Sequence, residues 1–165
     1  MLNNIVKAST VEELKKYPGY PSESRLAKGI VAVIECEQEI PCNPCEDLCP
    51  RKAIVVGSPI TELPVMNDDM CTGCGLCVAG CPGQAIFMVD KTYSTNEDLV
   101  GIPYEYLPVP EAGDIVSVAD RNGTVIGTGK VVKVIDSKKN NKTKLIYIAV
   151  QKGCGDEVRA IVCEK

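Results

Sequence analysis

The chain has 165 residues, 45% hydrophobic but only 4% aromatic, with ten cysteines, no tryptophan and no histidine. That length holds one medium domain or two small ones, and the missing histidine excludes His-ligated zinc, Rieske clusters, His-bound haem and a histidine general base. The net charge of −4 is uneven: residues 30–100 carry 11 acidic and 3 basic side chains, a balance of −8, which makes that segment a poor partner for nucleic acid.

Residues 1–28 read as an N-terminal arm with one short helix over 9–17. Thr10 followed by Glu13 is a capping-box pattern, and "YPGYP" stops the helix. The first residues show no apolar core of a signal peptide, and no apolar run approaches the roughly 20 residues of a membrane span. The expectation is a soluble, cytoplasmic protein with no membrane partner, in which clustered cysteines bind metal rather than form disulfides. "GIVAVIEC" (29–36) reads as a buried strand.

An internal repeat follows. "CNPCEDLCPRKAIVV" (42–56) lies over "CGLCVAGCPGQAIFM" (74–88) at a constant offset of 32. Cys42, Cys45, Cys49, Pro50, Ala53 and Ile54 match Cys74, Cys77, Cys81, Pro82, Ala85 and Ile86. Each copy is a loop, a helical turn into Cys-Pro and an apolar strand opening on Ala-Ile. The two strands are expected to pair with each other, with the loops facing one core.

Residues 101–113, "GIPYEYLPVPEAG", read as a proline-rich linker or extended crossing, with Tyr104 and Tyr106 packing between the flanking modules. Residues 114–165 then alternate in β-branched runs, and Asn122-Gly123 between two of them is a hairpin signal. A small antiparallel β-barrel or curled sheet is expected, bent at Gly127 and Gly129, with Lys138, Lys139, Lys142 and Lys144 on a solvated hairpin tip. Cys154 and Cys163 read as ordinary thiols. The fold class is thus α+β: a cysteine-rich domain over 29–100 and a C-terminal all-β module.

The chemistry is concentrated in "DDMCTGCGLCVAGCP" (68–82), where Cys71, Cys74, Cys77 and Cys81 are followed by Pro82. Three thiolates two residues apart can wrap one corner of a cube; a fourth, at the end of a helical turn, points away from it. Proline has no N–H and ends the turn. Gly73, Gly75 and Gly80 would let backbone approach the sulfurs, and Ile54, Val55, Ile86, Met88 and Val89 would supply apolar cover. Zinc ribbons separate two C-x2-C pairs by a longer stretch, so this dense run, present twice, favours iron–sulfur.

The run resembles the bacterial two-cluster 4Fe-4S ferredoxin family over roughly residues 28–92, through C-x2-C-x2-C-x3-C-P. That resemblance implies a ferredoxin-like domain and crossed ligation. Cys71, Cys74 and Cys77 would hold one cluster with Cys49; Cys42 and Cys45 would hold the other with Cys81 and one more thiol. The family pattern places that thiol at position 39, which is Glu39 here. Cys36 is the replacement, with "EQEIP" bulging out as a short loop. The alternatives are a 3Fe-4S cluster, or an open iron held by Glu39 or water.

No nucleotide-binding glycine motif is present and no histidine-based catalytic pair is possible, so no catalytic residue is assigned. Two clusters suit one-electron transfer, and three roles remain: an electron-transfer subunit, a diffusible ferredoxin, or a structural iron–sulfur protein carrying a β-barrel binding module. The residues added outside 28–92 favour the subunit. "ECEQEIPCNPCEDLCPRKAI" further resembles ferredoxin-type small subunits of FAD-dependent amino- or imino-acid dehydrogenases of anaerobes. This implies a hetero-oligomer, with FAD or FMN on a flavoprotein partner chain.

Overall fold

A computed structural model describes residues 7–162. The arm forms two one-turn helices. In α1 (Val11–Leu14) the capping box closes both ways: Glu13 N–H donates to Thr10 Oγ1 at 3.3 Å and Thr10 N–H to Glu13 Oε2 at 2.8 Å. α2 (Glu23–Leu26) was not expected from sequence. Ser22 caps it, its Oγ accepting from Arg25 N–H at 3.2 Å, but the third helical residue is Arg25 rather than an acid, so the capping-box pattern is missing. Leu14, Tyr20 and Leu26 pack with Val31, Val33 and Val89, fastening the arm to one face of the sheet.

That sheet has seven antiparallel strands in the order β1-β4-β5-β8-β7-β6-β9. They are β1 (Val31–Ile34), β4 (Ile86–Asp90), β5 (Glu97–Tyr104), β6 (Ile115–Ala119), β7 (Val125–Ile135), β8 (Lys144–Gln151) and β9 (Ala160–Val162). A two-residue pair, β2 (Ile54–Val55) with β3 (Val65–Met66), stands apart.

Four differences from the sequence reading have physical causes. Among the described residues the sheet is open: β1 and β9 lie at opposite edges, so it does not close into a barrel. The C-terminal strands are not a separate layer, because β8 pairs with β5 and β5 with β4, carrying one sheet from the cysteine-rich half into the rest. The proline-rich stretch is strand as far as Tyr104. Pairing of β5 with β4 ends at Gly101, so Pro103 has a neighbour only in β8, an edge position where its missing N–H is tolerated. Lastly, the two Ala-Ile strands do not pair with each other. "GSP" (57–59) cuts β2 short and Val65–Met66 returns to cover it, while β4 is taken by β1 and β5.

The hairpin at Asn122-Gly123 is present: Asp120 Oδ1 accepts from the N–H groups of Asn122 and Thr124, each at 2.9 Å, and Gly123 takes φ +78°. Of the two tyrosines, Tyr104 is buried and its hydroxyl donates to the Pro108 carbonyl at 2.8 Å, whereas Tyr106 is exposed and meets it edge-on. Lys138, Lys139 and Lys142 are exposed around a 3-10 turn; Lys144 pairs with Asp136 at 3.3 Å. Cys163 lies outside the described residues. Among those described, no helix is long and apolar enough to cross a membrane.

Candidate metal centre

The repeat folds the same way twice. α3 (Pro44–Leu48) and α4 (Leu76–Gly80) occupy equivalent positions and each ends at an extended cysteine, Cys49 (ψ 107°) and Cys81 (ψ 113°). Cys49 N–H donates to Glu46 O at 3.3 Å, and Cys81 N–H to Val78 O at 3.4 Å. Three residues further on, Lys52 and Gln84 both take a left-handed φ, +52° and +51°. This turns the next N–H back onto sulfur: Ala53 N–H to Cys49 Sγ at 3.2 Å, Ala85 N–H to Cys81 Sγ at 3.5 Å. The Cys-Pro-x-x-Ala-Ile pattern is therefore a sulfur-facing turn, built once per copy.

Two cavities result. Cys49, Cys71, Cys74 and Cys77 line the first, about 360 Å³ with its open mouth included, against Ala32, Ile54, Met66 and Met88. Cys36, Cys42, Cys45 and Cys81 line the second, about 400 Å³, against Ile34, Ile40, Val56 and Ile86. Each helix thus supplies its terminal cysteine to the cavity of the other copy. Cys36 reaches the second cavity because Glu35, at the end of β1, still donates its N–H to Ala85 O at 2.8 Å. Residues 37–41 are exposed, and Glu39 is not in the lining.

The apolar cover is narrower than expected. Ile54 and Met88 face the first cavity and Ile86 the second. Val55 is exposed and Val89 packs on the arm, because alternate strand residues face opposite ways. The glycines make room for neighbouring chain rather than for sulfur. A Cβ on Gly73 would stand 2.5 Å from Ile30 Cγ2, and one on Gly75 2.5 Å from Leu145 Cδ2.

All nine described cysteines are free thiols. Burial pushes Cys45 up to about 11 and Cys77 up to about 12, with the neighbouring cysteines adding to both, and burial also raises Cys36. Burial thus favours the protonated form of these three thiols in a bare cavity, and holding them as thiolates calls for bound cations. Four cysteines line each cavity among apolar side chains. Sulfurs spread around an apolar volume, with N–H groups aimed at two of them, fit an iron–sulfur cube in each cavity.

Several residues here escaped the sequence reading. Arg51 lines the first cavity, its only signal being its place after Cys-Pro. Tyr147 of β8 is buried in the core that contains Cys77. Glu35, beside Cys36, is buried between two arginines: Arg159 Nε and Arg121 Nη2 donate to its Oε1 at 2.7 and 2.6 Å. The Arg159 guanidinium lies 4.8 Å from the Phe87 ring centre. No local pattern announces contacts made across 86 and 124 residues.

Residues 40–85 match the family model of the 4Fe-4S dicluster domain. An uncharacterized ferredoxin of Methanocaldococcus jannaschii is 46% identical over 50 residues, 30% of this chain and 28% of that protein. The ferredoxin-type protein NapF of Haemophilus influenzae is 45% identical over 53 residues, 31% of this chain and 30% of its own length. Protein Pixie of Drosophila melanogaster is 25% identical over 131 residues, 71% of this chain but 20% of its own. The chain thus spans less than a third of the length of these curated relatives. No solved structure matches the chain significantly. Cys36 precedes the matched segment, which contains the other seven cysteines of the two cavities. The dicluster match and the ferredoxin-type relatives together support a 4Fe-4S ferredoxin-type segment at residues 40–85.

Proposed function

We propose that this chain is the iron–sulfur subunit of a cytoplasmic oxidoreductase, relaying single electrons through two 4Fe-4S clusters between a flavoprotein partner and a further donor or acceptor. The observation that carries this reading is the pair of four-thiol cavities interlocked by exchange of Cys49 and Cys81. Cys49, Cys71, Cys74 and Cys77 would hold one cluster, and Cys36, Cys42, Cys45 and Cys81 the other. When bound, such groups exchange one electron each with little movement of the protein around them. The chain's residues supply the sulfur, the N–H groups and the apolar insulation. FAD or FMN belongs to the partner chain in this reading. Its support is the looser likeness of residues 35–54 to dehydrogenase small subunits, and the extra sheet surface beyond the dicluster segment.

The test is anaerobic purification with iron and sulfide counts. About eight of each per chain are expected for two cubes, together with copurification at fixed ratio with a flavoprotein whose reduced flavin bleaches the clusters. Colourless protein holding zinc, or folded protein without iron and sulfide, overturns the reading.

One observation favours a second reading, clusters that are structural. One relative aligned over 71% of this chain is Protein Pixie, and another, over 63%, is an ABC transporter E family member of Arabidopsis thaliana; neither name is that of a ferredoxin. Clusters that take up no electron from dithionite would support that reading.

A further inference from the structure

We infer that the two cavities are electronically unequal: Arg51 and Tyr147 make the one bounded by Cys49, Cys71, Cys74 and Cys77 the higher-potential member of the pair, where a transferred electron comes to rest. The inference deepens the electron-transfer reading and rests on it.

Reduction adds one negative charge to whatever a cavity holds, so donors and positive charge in its wall favour the reduced form. The first cavity has Arg51 in its lining. The repeat places Gly83 at the equivalent position of the second copy, 32 residues on, so the guanidinium has no counterpart there. Arg51 is exposed and screened by salt, which makes it the smaller contributor.

Tyr147 acts where screening is weak. It is 8% exposed and shares a core with Cys77, Met88 and Leu145. β8 alternates, sending Leu145 and Tyr147 toward this core and Ile146 and Ile148 toward the other. The Tyr147 hydroxyl stands 3.3 Å from the point a Cβ on Gly75 would occupy, and Gly75 lies between Cys74 and Cys77 in sequence. A buried O–H aimed at this stretch is a donor in a low dielectric.

The second cavity offers less. Among the described residues, Gln38 is the sole polar side chain other than cysteine in its lining. Glu37, next to Cys36, brings negative charge to that side. The N–H to sulfur contact is also longer there, 3.5 Å against 3.2 Å. Uptake is of one electron from an external reductant, with no bond made or broken, and Tyr147 keeps its proton.

The test is an EPR-monitored dithionite titration of the anaerobically purified full chain, beside Tyr147→Phe and Arg51→Gln. Two resolved midpoints are expected. Tyr147→Phe should lower only the higher one at unchanged iron content; Arg51→Gln should lower the same one by less, and its effect should fade with added salt. A merely structural Tyr147 would alter iron retention or melting but not a midpoint. A single shared midpoint at full iron content, or a variant that moves the lower midpoint or neither, overturns the inference alone. Protein without iron and sulfide overturns the reading beneath it, and the inference with it.

Discussion

Leu48 Cδ1 lies 1.9 Å from the point a Cβ on Gly80 would occupy. The two residues are the same position of the repeat, 32 apart, meeting where α3 and α4 pack together. A self-facing position cannot carry a large side chain in both copies at this separation. The duplication has diverged here to large against none, as close packing demands.

Substitution of the glycines should follow what each one faces. Leu48 is 43% exposed and can swing aside, so Gly80→Ala should change unfolding free energy by under about 1 kcal/mol. Gly75 holds φ +78° and faces the buried Leu145, so Gly75→Ala should cost about 2–4 kcal/mol from overpacking and backbone strain together. Urea unfolding of the two metal-free variants measures the contrast, and equal costs would contradict it.

Cys36→Ala should remove or shrink the group in the second cavity and spare the first. Iron should fall from about eight to about seven or four per chain, with one EPR signal unchanged. Full iron content and an unaltered spectrum would show that Cys36 is no ligand and that Glu39 or water takes the place.

The metal-free protein should lose stability in alkali. Thiols ordinarily titrate near 8.5, whereas folding raises Cys45 to about 11 and Cys77 to about 12. The folded state therefore holds these protons more tightly. Its advantage is complete below about pH 8.5 and is lost as pH climbs through the folded values. Melting curves between pH 7 and 11 should show that fall. Iodoacetamide with mass mapping at pH 8 should label the exposed Cys74 before the buried Cys77.

Glu35 makes a different prediction. Its side chain is 8% exposed between Arg159 and Arg121, themselves 4% and 9% exposed. Glu35→Leu leaves the Arg159 guanidinium buried without its carboxylate, and Arg121 with Glu157 alone, and should cost about 3–5 kcal/mol, read by urea unfolding. Arg159→Met keeps the Arg121 pair and should cost less.

Much of this was written locally in the chain. Thr10 and Glu13 announce α1, the apolar run 31–34 announces β1, and the C-x2-C spacing with its offset of 32 announces two like turns. Those signals need only neighbours in sequence. β5 was hidden because Pro103 reads as a breaker until β8 is seen to leave it on an edge. The sheet's continuity, Tyr147 behind Gly75 and Arg159 against Glu35 are long-range contacts that no spacing encodes. Removing residues 108–165 would therefore take away β8 and strip Leu145 and Tyr147 from behind the first cavity.

The reach from Glu35 to Arg159 sets an order of events during synthesis. All eight thiols of the two cavities have emerged by residue 81, yet the guanidinium that steadies the strand end beside Cys36 is made 78 residues later. A nascent chain can close the pocket of Cys49, Cys71, Cys74 and Cys77 only when β8 arrives, and can lock that of Cys36 later still. Cofactor loading of both pockets is thereby held back until residues well beyond the last of their thiols have been made.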